Sequence, residues 1–127
     1  MNKFIFTELL LISIRLVVVD ASYLYSMKHF FNSQIKLIQG TDIKMNIYAA
    51  ILCYIALVYG LYYFIIKDKR PLTDAFIFGI VIYAVYELTT KALLQKWSWA
   101  TVVLDTLWGG ILFTITTYLV YTIQKYI

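Results

Sequence analysis

Among the charges inside otherwise apolar stretches three acids and two bases stand out, and a charge in such a place either pairs with another or holds a proton, a cation or a polar ligand. Tyr83, Glu87 and Lys91 follow one another at i, i+4 and i+8 on one helical face, with Tyr86 and Thr90 beside them. A charge near a bilayer centre costs on the order of 3 kcal/mol even on the mildest insertion scale, so that face must meet other helices rather than lipid. Arg15, Asp20 and Asp105 are the remaining members, and Trp108 follows Asp105 on the same face. No nucleophile stands at the spacing of a base, no glycine loop could cradle a phosphate, and the lone Cys53 has no partner for a disulfide or a metal set. We therefore expect no catalytic residue, no metal and no cofactor, and not an enzyme.

The elements that must position these residues are membrane spans. Of 127 residues 62% are hydrophobic and 14% charged, with a mean hydropathy of +0.78, far from the roughly 45–50% apolar usage of soluble domains. The length allows one all-α domain over residues 1–127, an antiparallel four-helix transmembrane bundle with spans near 4–28, 45–66, 72–94 and 101–121. Val19-Asp20-Ala21 fits a signal-peptidase pattern, but Glu8 and Arg15 inside the apolar run argue for a retained helix. Phe30 to Lys44, with Asn32, Gln34, Gln39 and Gly40, reads as an interfacial loop with room for a short amphipathic turn. His29 at its start reads as an interfacial residue.

Small residues mark where helices can approach closely: Ala49, Cys53, Ala56 and Gly60 line one face of the second span, and Gly79 and Gly109 lie in the third and fourth. We expect the Ala49 to Gly60 face to pack internally, against the first or third span. Trp97 and Trp99 mark a membrane interface, and Lys67, Lys69 and Arg70 read as headgroup anchors. The mid-span tyrosines Tyr54, Tyr59, Tyr83 and Tyr86 read as packed core with satisfied hydroxyls rather than as a ligand stack. The net charge of +4 gathers at segment ends, so the expected partner is the lipid bilayer, with membrane-protein or virion partners and no nucleic acid. The dense Lys67 to Arg70 loop, with Lys3 and Lys125 on its side and Lys28, Lys36, Lys44, Lys91 and Lys96 opposite, points to a multi-pass protein with both termini cytoplasmic.

Four alternating crossings fix which residues share a depth. At about 1.5 Å per residue, Asp20, Glu87 and Asp105 fall together roughly 6–9 Å beyond the midplane, Lys91 a turn further out, and Arg15 near the middle but within reach through its long stem. The sequence resembles the DUF2177 family of small membrane proteins on several of these residues. They are Asp20 followed by aromatics, Tyr59-Gly60 with Phe64, Gly79, the Tyr83-x-x-Tyr86-Glu87-Leu88-Thr89 block, Trp97, and Asp105-x-x-Trp108-Gly109. It departs in Glu87 where Asp is expected and Thr90 where Asn is expected. The resemblance implies a four-helix membrane fold and brings no activity. Two readings of the layer stand: a cation, proton or polar-ligand site in a carrier, channel component or sensor, or internal pairing that fixes helix register in a structural subunit.

Overall fold

A computed structural model describes residues 3–41 and 45–124, with side chains from Ile5 on. Lys44 and Lys125, and the side chain of Lys3, which enter the charge argument for orientation, lie outside the described residues. The described chain is helical: α1 (Lys3–Ser26), α2 (Lys28–Gln39), α3 (Ile47–Leu61) running into a π turn (Tyr62–Ile66), α4 (Leu72–Leu93) and α5 (Trp99–Gln124). Three of these stretches, Ile47–Ile66, Leu72–Leu93 and Trp99–Gln124, are long and apolar enough to cross a membrane. At 1.5 Å per residue they measure about 30, 33 and 39 Å against a hydrocarbon core of about 30 Å.

Five helices stand where four are expected, and the addition is α2. Its polar residues are what made the segment read as a loop, yet they are the reason it docks. Gln34 points inward and donates to the Lys96 carbonyl (2.9 Å), while its Oε1 accepts from the Ser98 N–H (3.1 Å) and the Thr101 hydroxyl (3.3 Å). Gly40 closes the helix in the left-handed conformation, φ 78°, its N–H donating to the Lys36 carbonyl, a geometry that favours glycine. Elsewhere the ends follow from side-chain caps. Asn46 Oδ1 accepts from the N–H groups of Tyr48 and Ala49 at the start of α3, and Ser98 Oγ accepts from the Thr101 N–H at the start of α5.

The most extensive packing joins α4 and α5, and its cause is glycine. A Cβ placed on Gly79 would overlap the Gly109 carbonyl, and one on Gly109 would enter the Tyr83 ring. One on Gly110 would lie 2.8 Å from Ile80 and Phe76. Backbone meets backbone there, as small residues permit where dispersion rather than water expulsion drives association. Helix α1 runs antiparallel to both α3 and α5 and forms the centre of the core, with Ile12 and Leu16 fully buried beside Leu61, Leu112 and Phe113.

The small-residue stripe of α3 does not pack internally. Ala49, Cys53 and Ala56 are exposed, and Gly60 alone is part-buried, facing the Phe78 ring at 3.7 Å. Helix α3 turns its opposite side, Val58 with Tyr54, toward α1, because the larger side chains fill that seam and Tyr54 carries the hydroxyl that α1 requires.

Candidate functional site

The acids predicted to share a depth come together where α1, α4 and α5 meet. On α1, Asp20 is buried and both oxygens are occupied: Oδ1 accepts from Trp108 Nε1 (2.8 Å) and Oδ2 from the Tyr54 hydroxyl (2.5 Å). Trp108 stacks on Tyr23, ring centroids 4.3 Å apart and planes 6° from parallel, and the Tyr23 hydroxyl donates to Asp105 Oδ1 at 2.8 Å. The Asp105 carboxyl stands opposite the Glu87 carboxyl across the α4–α5 seam, one turn from where Tyr83 packs on Gly109. Glu87 is 0% exposed; its Oε1 accepts from Trp97 Nε1 at 2.8 Å, and no N–H or O–H group donates to Oε2. Three acids are thus threaded on indole and phenol donors from three helices, α1, α3 and α5, and the α4–α5 loop.

Neither base joins them, which corrects the expected pairing. Lys91 Nζ turns to the Gln95 carbonyl (2.8 Å) and sits over the Trp99 ring at 5.5 Å, away from Glu87 one turn below. Arg15 makes no ion pair with Asp20, Glu87 or Asp105; among the described residues the ion pair formed is Arg70–Asp74, at the start of α4. The reason is geometric. An aromatic N–H or O–H brings one rigid donor without an ionic charge to desolvate, whereas a base drawn into this layer would lose its hydration as well.

Two further residues depart from expectation. Tyr86 points outward, 61% exposed, and takes no part in the layer, while Tyr83 packs its ring on Gly109 and edge-on to Phe113. Trp97 does not face outward: it is 7% exposed and caps Glu87 from the α4–α5 loop, held by Gln34 on its two neighbours, Lys96 and Ser98. Trp99 does face outward. Lys67, Lys69 and Arg70 are exposed at the opposite end, with Lys67 over the Tyr63 ring and Lys69 over that of Tyr121.

Tyr23 and Tyr54 are site residues that the sequence treatment did not assign to the layer. Tyr23 lies three residues after Asp20 on the same face, and Tyr54 shares the depth of Asp20 in the returning helix, so both carried a signal in spacing. Tyr59, by contrast, is exposed and stacks on Tyr63 rather than entering the core. Beside Tyr54 an apolar groove of about 520 Å³ opens between α1 and α3, lined by Leu9, Ser13, Val17, Ile51, Ile55, Val58 and Tyr59.

The family model described as "Predicted membrane protein (DUF2177)" matches residues 5–122, nearly the whole chain. No curated protein and no solved structure matches it.

Proposed function

The chain belongs to the DUF2177 family of membrane proteins, and on that premise we propose that it is a non-enzymatic membrane component built around an acidic centre that takes up positive charge. Such a centre serves a carrier, a channel component or a sensor. The observation that carries this reading is Glu87: fully buried, beside a second carboxyl, with one oxygen that no group donates to and no base within its set of partners. In the membrane arrangement we propose, α1, α3, α4 and α5 cross as an antiparallel four-helix bundle with α2 lying at the interface. The basic Lys67 to Arg70 turn supports an orientation with both termini in the cytoplasm. The lipid bilayer is the partner this requires; nucleic acid is not.

A second reading, a structural subunit of a membrane or virion assembly, draws support from Asp20, whose oxygens are both filled by Trp108 and Tyr54. One experiment separates the two. Thermal stability of the purified protein in detergent is measured against pH and against added sodium, potassium and calcium, for the wild type and Glu87→Gln. The charge-binding reading expects a dependence on protons or on one cation that Glu87→Gln removes. Stability indifferent to all of them favours the structural subunit.

A further inference from the structure

We propose that the charge taken up is a single proton, held between the carboxyl groups of Glu87 on α4 and Asp105 on α5. This deepens the reading above and rests on it. Tyr83 packs on Gly109, and one turn further along α4 and one turn back along α5 Glu87 and Asp105 stand opposite each other in the seam; two carboxylates enclosed side by side repel, and a proton on one can be donated to the other. That proton supplies what the surroundings withhold, since Glu87 Oε2 is enclosed without a donor.

None of the other titratable or charged groups around the pair donates to Glu87 Oε2. From α1, Tyr23 donates to Asp105, and Asp20 is filled by Trp108 and Tyr54. On α4 itself, Lys91 is bound to the Gln95 carbonyl, and Tyr86 turns outward. Cys53 on α3 is exposed on the outward face, and Lys96 in the loop and His29 on α2 are exposed. A metal ion fits the same place poorly. Calcium takes roughly six to eight oxygens and magnesium a near-ideal octahedron. Here Glu87 Oε1 and Asp105 Oδ1 are engaged by an N–H and an O–H, whose hydrogens would meet the ion. Among the described residues no group of three His, Cys, Asp or Glu side chains could hold a metal. Uptake moves one proton from water to the pair, whose charge goes from −2 to −1, and release returns it.

Infrared difference spectroscopy on the full chain in liposomes tests this. The wild type should give the C=O stretch of a protonated carboxylic acid at neutral pH, shifted in D2O and lost reversibly as pH is raised. Glu87→Gln should abolish it, and Asp105→Asn should abolish it or move its midpoint. A band whose position and midpoint Asp105→Asn leaves untouched means that the proton belongs to Glu87 alone and overturns the shared site. Absence of the band in wild type, with stability that follows sodium or calcium instead, overturns the proton while leaving an acidic centre that binds charge. Absence of the band with no dependence on any cation overturns both.

Discussion

Replacing Trp97 by Phe removes the single donor that reaches Glu87 Oε1 and little else, because the ring remains apolar and the loop keeps its ties to Gln34. Side-chain hydrogen bonds inside membranes average only about 0.6 kcal/mol, with a maximum near 1.7, since the partly unfolded chain finds other partners. Glu87 belongs at the upper end of that range: it is fully enclosed, and its other oxygen has no donor to compensate. Loss of the smaller ring's packing adds about 1 kcal/mol, so the whole change should lie at roughly 2–3 kcal/mol. Unfolding titrations in mixed detergent, run as a double-mutant cycle with Glu87→Leu, which leaves the indole no acceptor, should return a coupling of about 1.5 kcal/mol. The parallel cycle between Glu87 and Lys91, the pair that helical spacing alone would nominate, should return within about 0.5 kcal/mol of zero. A Glu87–Lys91 coupling above about 1 kcal/mol with none to Trp97 would refute the account of how this acid is held.

Other substitutions discriminate between packing surfaces. Gly79→Ala forces a methyl into the Gly109 carbonyl and should destabilise by about 1–3 kcal/mol. Gly60→Ala, whose Cβ finds Phe78 at ordinary contact distance, should be neutral or stabilising by up to about 1 kcal/mol, as chemical or thermal melts in detergent will read. Ala56→Leu projects from the outward side of α3 and should leave monomer stability within about 0.5 kcal/mol; a larger loss would place that stripe inside the fold. Gln34→Ala unties α2 from the α4–α5 loop and should speed hydrogen exchange at the Trp97 indole, seen by NMR, before it affects the Trp108 indole.

Depth was readable from the chain, and partner choice was not. Alternating helices with a fixed rise leave little freedom in where Asp20, Glu87 and Asp105 lie along the length of the helices, so their convergence follows from counting. Which donors serve them depends on rotation about each helix axis, and four helices can rotate without changing any depth. Sequence rules favour opposite charges at i, i+4, so Lys91 looked like the partner of Glu87. The structure gives that place to Trp97, ten residues on, through a loop whose path no periodicity encodes. Small residues carried the same ambiguity. Gly79 and Gly109 with Gly110 close a helix pair, whereas Ala49, Cys53 and Ala56 face outward, although both sets have volumes that would allow close approach. Helix α2 was obscured because its inward position is a glutamine, and a buried amide is invisible to any reading keyed to apolar residues.

Several partners of α1 lie far along the chain from it. Asp20 waits for Trp108, and Glu8 Oε1 accepts from Gln124 Nε2 at 2.6 Å, contacts that span 88 and 116 residues of chain. At translation speeds of about 5–20 residues per second, the 88-residue interval to Trp108 is roughly 4–18 s during which Asp20 can have only Tyr54, from the second long helix to emerge. A helix bearing Glu8, Arg15 and Asp20 therefore lacks most of its polar partners until α5 has been made. The α4–α5 hairpin, closed by its own glycines and by Trp97 on Glu87, needs nothing from α1 to pair its helices. The α4–α5 hairpin can therefore close on its own contacts and offer α1 a formed surface on which to seat.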